Sequence, residues 1–214
     1  MKNIAISESR IEDHWFDQYT WSNIHYSTSL TAGAYLQFAR ADLLGGISER
    51  NLINAASNAK RALHLEVETI SKALGADYSK KKIGNFPQRL EFLVKCGILG
   101  PSILEKTNAL RNSIEHEYYV PKVEEVKDFI DITSLFIEAT KFYRLRYPCE
   151  VDLFDAWDDT LVHRIASIRT SLQQGELTFE IWPHDKRADR FYREVSVNDQ
   201  EYFVWLPFIL RNNS

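Results

Sequence analysis

Arg111 and His116 stand in the stretch Leu110-Arg111-Asn112-Ser113-Ile114-Glu115-His116-Glu117-Tyr118. Arg111 carries a permanent charge on a planar fork of donors that matches phosphate oxygens. His116 is the side chain whose ordinary pKa lies nearest neutrality, so it can take or give a proton at working pH. A fixed cation and a titratable base are the minimum set for cutting a phosphodiester without a metal, provided the fold brings them together. The surrounding periodicity is helical. At about 100° per residue, Arg111, Glu115 and Tyr118 fall on one line, and Asn112, His116 and Tyr119 on the next. Arg111 and His116 are then about 140° apart around the axis and roughly 7.5 Å apart along it. One straight helix does not point both at one spot. Two copies of it, facing each other across the two-fold axis of a homodimer, would build a shared cleft. On these lines Asn112 and Glu115 are placed to orient His116 and Arg111, with Tyr119 in support.

The run Leu-Arg-Asn-x-x-x-His-x-Tyr, followed by Val120-Pro121 and a further amphipathic stretch, resembles the HEPN superfamily. Its mark is an Arg and a His separated by four to six residues, often with a polar residue directly after the Arg, as Asn112 is here. The resemblance covers residues 24–147 by helix order, and about nine residues carry its specificity. It implies a dimeric, metal-independent endoribonuclease with no cofactor, acting in a toxin–antitoxin or phage-defence setting. By the same resemblance Arg111 and His116 are the catalytic pair and Asn112 their polar companion. Tyr118 is the tyrosine modified with nucleotide when such toxins are paired with a nucleotidyltransferase-like antitoxin. The rival reading keeps the bundle and the dimer but makes them a non-catalytic interaction or nucleotide-binding module.

Pattern along the chain sets the expected scaffold: mainly α, an antiparallel helical bundle of about five helices with a small C-terminal α+β appendage containing a β-hairpin. Tyr26–Leu44 is a helix stopped by Gly45-Gly46, with Leu30, Ala34, Phe38 and Ala41 as its apolar face. Ser48 caps a long helix to Leu74 whose stripe is Leu52, Ala55, Ala56, Ala59, Leu63, Val67 and Ile70, and Gly75 closes it. Phe86-Pro87 opens a short helix through Cys96. Pro101 opens the motif helix and Pro121 ends it. Lys122 to Arg146 is the last of the five, with Val126, Phe129, Ile130, Leu135, Phe136, Ala139 and Phe142 facing inward. After Pro148 the texture changes. Glu150–Leu172 has Phe154, Trp157, Leu161 and Ile165 near helical spacing, Leu177–Trp182 reads as a strand, and Asn198-Asp199 reads as the turn of a hairpin between Phe191–Val197 and Tyr202–Leu210. The expected divisions are an N-terminal segment 1–23, a bundle 24–147 and an extension 148–214. Trp15, Phe16, Tyr19 and Trp21 are expected to tuck their rings onto the bundle.

Charge is uneven. The whole chain is −4, but residues 24–147 hold 17 Lys and Arg against 14 Asp and Glu, whereas 150–214 hold 7 against 12. Lys80, Lys81 and Lys82 beside Arg89 form a local basic patch suited to RNA, while the overall balance argues against a broad electrostatic nucleic-acid binder. His64 with Glu68 at i, i+4, beside Glu66, is a candidate two-ligand metal face. No Glu-x-x-His, the mark of di-metal bundles, occurs in the sequence, and no metal is expected. Cys96 and Cys149 have no metal-ligand spacing and are expected as free thiols. No apolar run reaches membrane-spanning length, and Met1–Glu8 lacks the apolar run of a signal peptide. The expected setting is cytoplasmic, without membrane partners.

Overall fold

The computed structural model describes residues 14–98, 119–155, 163–183 and 189–211. The strand β1 (His14–Ser22) comes first, followed by helices α1 (Ala32–Leu44), α2 (Glu49–Ala73), α3 (Phe86–Lys95) and α4 (Val123–Leu145). Strands β2 (Tyr147–Asp155), β3 (His163–Ser171), β4 (Glu176–Pro183) and β5 (Phe191–Ser196) then lead into helix α5 (Tyr202–Arg211). Among the described residues no helix is long and apolar enough to cross a membrane.

The helix ends follow local chemistry. Thr31, Ser48 and Asn85 each accept a hydrogen bond from a first-turn N–H, at Ala34, Asn51 and Gln88, which satisfies one of the orphan donors of a helix start. Asn85 and Gln88 form a reciprocal capping box with Pro87 in the first turn. The central element is α2, which packs against α1, α3 and α4. Its expected stripe is buried throughout, and the small Ala55, Ala56, Ala59 and Ala62 let neighbouring helices approach closely. The α1 face differs from the expected one: Ala32, Leu36 and Ala39 point inward, while Leu30 and Phe38 are exposed. That helix is apolar on most sides, so spacing alone does not select its buried face. On α4, Leu135 and Ala139 are likewise exposed, and Val126, Phe129, Ile130 and Phe136 carry the packing.

The second half overturns the expected small appendage. All five strands form one antiparallel sheet in the order β1-β2-β3-β4-β5. The stretch expected as a helix over Glu150–Leu172 contributes β2 and β3. In β2, buried Val151 and Leu153 flank exposed Asp152, the period of two expected of a strand. In β3 a register shift between Ile165 and Ser167 breaks the alternation, and the spacing that suggested a helix ran from Phe154 in β2 to Ile165 in β3, across two separate strands. The expected strand Tyr202–Leu210 is helix α5, whose buried Tyr202, Trp205, Leu206, Ile209 and Leu210 repeat at i, i+3, i+4, i+7 and i+8. Asn198-Asp199 therefore turns β5 into a helix rather than into a hairpin. The N-terminal aromatics also have a different place: Trp15, Phe16, Tyr19 and Trp21 lie in β1, paired with β2 from Phe154↔Trp15 to Pro148↔Trp21. Tyr19 stacks between Phe16 and Trp21, and Phe16 meets Phe208 of α5.

Helices and sheet share one continuous core, and α5 lies on β2 and β4. The helical part and the sheet approach closely at two glycines. Gly75 (φ 85°) closes α2, and Gly175 (φ 66°) sits in the β3–β4 turn. A Cβ on Gly75 would overlap the Cα of Gly175, and one on Gly175 would stand 3.0 Å from both Gly75 Cα and Val197 Cβ. Only a residue without a side chain meets both the left-handed backbone and the space. Gly75→Ala should therefore lower stability by about 3 kcal/mol through strain and overpacking, read as a shifted urea midpoint. An unchanged midpoint would show that the two backbones separate at no cost.

Candidate functional site

Arg111, Asn112, Glu115, His116 and Tyr118 lie outside the described residues. Tyr119 is described, and its hydroxyl donates to Glu125 Oε2 at 2.9 Å. The same carboxylate oxygen accepts from the backbone N–H of Lys122 at 2.7 Å, one turn into α4. The residue directly after the motif is thus tied to the start of α4. The Lys122 N–H holds the Glu125 carboxyl below its ordinary range, and the carboxylate in turn pushes the Tyr119 phenol up. Tyr119 stays protonated at neutral pH and acts here as an anchor.

The expected basic patch divides in two. Arg89 turns inward: its guanidinium donates to Ser71 Oγ at 2.8 Å and to Asp77 at 3.1 Å, tying α3 to the end of α2. Lys80, Lys81 and Lys82 instead line a groove of about 300 Å³ together with Lys95 of α3 and Phe203 of α5. The loop carrying the three lysines is held at both ends. Asn198 spans the gap from the β5–α5 turn, accepting from the N–H of Lys80 at 2.6 Å and donating to the carbonyl of Tyr78 at 3.2 Å. At the far end Gln88 Oε1 accepts from the N–H groups of Gly84 and Asn85. Asn198 is positioned in turn by Asp199, which accepts from the N–H and hydroxyl of Ser196 at 2.8 Å each.

The three residues of the His64, Glu66, Glu68 stripe go to different places. His64 stacks on Phe86 with ring centroids 4.2 Å apart, and Glu68 pairs with Lys72. Among the described residues no cluster of His, Cys, Asp and Glu could hold a metal ion. Glu66 is fully buried. Its carboxylate accepts from the hydroxyl of Tyr26 and from Thr140 Oγ1 at 2.9 Å, with Arg144 Nε 3.6 Å away. The Arg144 guanidinium also lies 4.8 Å from the Tyr26 ring centroid, within cation–π range. Burial, followed by the hydrogen bond to Glu66, pushes the Tyr26 phenol well above its ordinary range, so it is a fixed donor. A cavity of about 390 Å³ opens beside this network, lined by His25, Lys141, Arg144 and Glu138. Its cations are matched by Glu66 and Glu138, which gives it little charge with which to select an ion. The network's main action is mechanical, binding the segment before α1 to α2 and α4. Sequence reasoning missed it because its members meet only in three dimensions: Tyr26, Glu66, and the pair Thr140 and Arg144 come from separate stretches of the chain.

The two cysteines are free, and burial raises both thiols, most strongly at Cys96.

Glu66→Ala should lower stability by about 3 kcal/mol, because Arg144 and Tyr26 then lose a buried partner. Tyr26→Phe should cost about 1.5 kcal/mol, the usual loss of a hydrogen bond to a charged group. Urea denaturation reads both, and a neutral Glu66→Ala would show that the cluster is already hydrated. Asp199 gives a pH-dependent expectation. The Ser196 N–H and hydroxyl hold its carboxyl below the ordinary range in the folded chain. Its stabilisation is therefore complete above the unfolded value of about 4 and is lost as pH falls through the lower folded value. Asp199→Asn should flatten the acid limb of a stability–pH curve, and an unaltered limb would discount this carboxylate.

Compared with models of known protein families, with curated proteins and with solved structures, the chain matches none.

Proposed function

We propose that the protein is a HEPN-type endoribonuclease that works as a homodimer and needs no metal. The observation that carries the reading is the motif Arg111-Asn112-x-x-x-His116-x-Tyr118. An RNA 2′-hydroxyl attacks the adjacent phosphorus as a base removes its proton, and the bond to the 5′-oxygen breaks as that oxygen takes a proton. The products are a 2′,3′-cyclic phosphate and a 5′-hydroxyl. His116 serves as general acid or base, a role worth typically ~10²–10⁴-fold. Arg111 stabilises the charge that builds on the phosphate oxygens, and Asn112 orients His116 or binds phosphate. The angular offset of Arg111 and His116 on the helix that the sequence spacing predicts is the argument for a cleft shared between two copies. A toxin or phage-defence role, with a nucleotidyltransferase-like antitoxin acting on Tyr118, belongs to the same reading and takes its support from the Arg-x4-His-x-Tyr form of the motif.

The purified full chain should cut single-stranded RNA in excess chelator, leaving cyclic-phosphate ends. His116→Ala should lower the rate by about 100-fold or more. Arg111→Lys, which keeps the charge but loses the fork, should also slow cleavage with the fold intact by circular dichroism. Cleavage that needs Mg²⁺, or folded variants that cut like wild type, would overturn the mechanism. Intact RNA with a dimeric, folded protein would favour the non-catalytic interaction module.

A further inference from the structure

We infer that the groove between the lysine loop, α3 and the β5–α5 turn is a seat for single-stranded RNA, with Lys80, Lys81, Lys82 and Lys95 on the phosphates and Phe203 under a base. This rests on the RNA reading above and adds where the polymer lies. Three observations lead to it. Four lysines face one glutamate, Glu91, around the groove, in a chain whose net charge is −4. The cationic excess is therefore concentrated rather than spread, the arrangement that holds a polyanion at one place. Glu91 is itself engaged by Lys95 at 2.8 Å, and Lys95 followed by Lys81 holds its carboxyl below the ordinary range.

The second observation is rigidity. Asn198 and Gln88 pin the two ends of the loop through backbone hydrogen bonds, one of them reaching across 118 residues of sequence. A loop of lysines with no function beyond solubility needs no such bracing, whereas a preformed row of cations loses less entropy on binding. The third is the floor. Phe203 is partly exposed and is held edge-on by Phe92 and Tyr202, with centroids 5.9 Å and 5.4 Å away. Cationic rim and aromatic floor together are the composition of single-strand binding grooves, in which phosphates meet lysines and bases stack on rings. The volume of about 300 Å³ is at the lower end of small-ligand pockets and suits one base with its phosphate. An acidic peptide would meet the same lysines, but it does not carry one charge and one flat ring per unit.

The test uses the full chain carrying His116→Ala, so that bound RNA is not cut. Fluorescence anisotropy with a single-stranded oligoribonucleotide of about 12 nucleotides measures affinity from low to physiological salt. Combining Lys80→Ala, Lys81→Ala and Lys82→Ala should weaken binding by about 10-fold or more and lower the salt slope by about 2, since each phosphate contact on a single strand contributes about 0.7. Lys95→Glu should act in the same direction as a single change, and Lys127→Ala on the exposed face of α4 should leave both quantities unaltered. Thermal melting confirms that each variant is folded. RNA that binds with unchanged affinity and slope after the lysine substitutions overturns the groove while leaving the cleavage reading intact. A poly-glutamate peptide that binds the groove more tightly than RNA overturns it in favour of a protein partner. A wild-type chain that neither binds nor cuts RNA overturns both.

Discussion

Gly75 and Gly175 bring two backbones to a distance that no side chain permits, and the remaining contacts at the junction depend on that approach. The N–H of Gln173 reaches the carbonyl of Ala73 at 2.9 Å, and the hydroxyl of Tyr202 reaches that of Leu74 at 2.8 Å. The end of α2 thereby satisfies carbonyls that a helix C-terminus would otherwise leave to water. The N–H of Val197 closes onto the carbonyl of Gly175 at 2.7 Å, which places the β5–α5 turn beside the segment that follows α2. Asn198 is then within reach of Lys80. A steric allowance at two positions thus propagates, through backbone bonds, to the geometry of a cationic surface loop.

The chain handles charge in two opposite ways. Glu66 is buried, and the loss of its hydration is offset only because three side chains converge on it; such a cluster is costly to break and contributes modestly when intact. The groove lysines remain hydrated, so each has little effect on folding but retains its charge for a partner in solution. Arg89 shows how the distinction is made locally. It is next in sequence to the groove residue Gln88, yet the α3 turn directs it onto Ser71 and Asp77 instead. Proximity in sequence grouped it with the lysines, and helix geometry separated it.

Local chemistry was legible and long-range pairing was not. Ser48, Asn85 and Gly75 act within a few residues of themselves, so the bounds of α2 and α3 follow from residue type. The stripe of α2 was readable because it runs for about five turns with polar residues opposite. For α5, the run Tyr202–Leu210 is almost wholly apolar, and such a run satisfies alternation and helical spacing equally. What selects the helix is the surface that Trp205 and Ile209 must cover, supplied by strands elsewhere in the chain. The spacing that suggested a helix over Glu150–Leu172 began at Phe154 in β2 and ended at Ile165 in β3, so it joined residues of two different strands. Glu66 looked like a possible ligand on its own helix, because its partner Tyr26 stands 40 positions away. At the candidate catalytic pair, residue type carried the chemistry, and the proposed cleft between two copies is not something a local run of sequence encodes.

The pairing of β1 with β2 has a consequence during synthesis. Phe16, Tyr19 and Trp21 emerge from the ribosome before α1 to α4 have been made, and the strand that receives them is translated only afterwards. At ordinary elongation rates the interval is on the order of 10 s, far longer than helix or hairpin formation. For that time the nascent chain presents an aromatic strand with both edges unpaired, while its helices can already collapse. The order of synthesis therefore opposes the order of pairing, and the newborn chain passes through a stage at which strand exchange between neighbouring copies competes with closure of its own sheet.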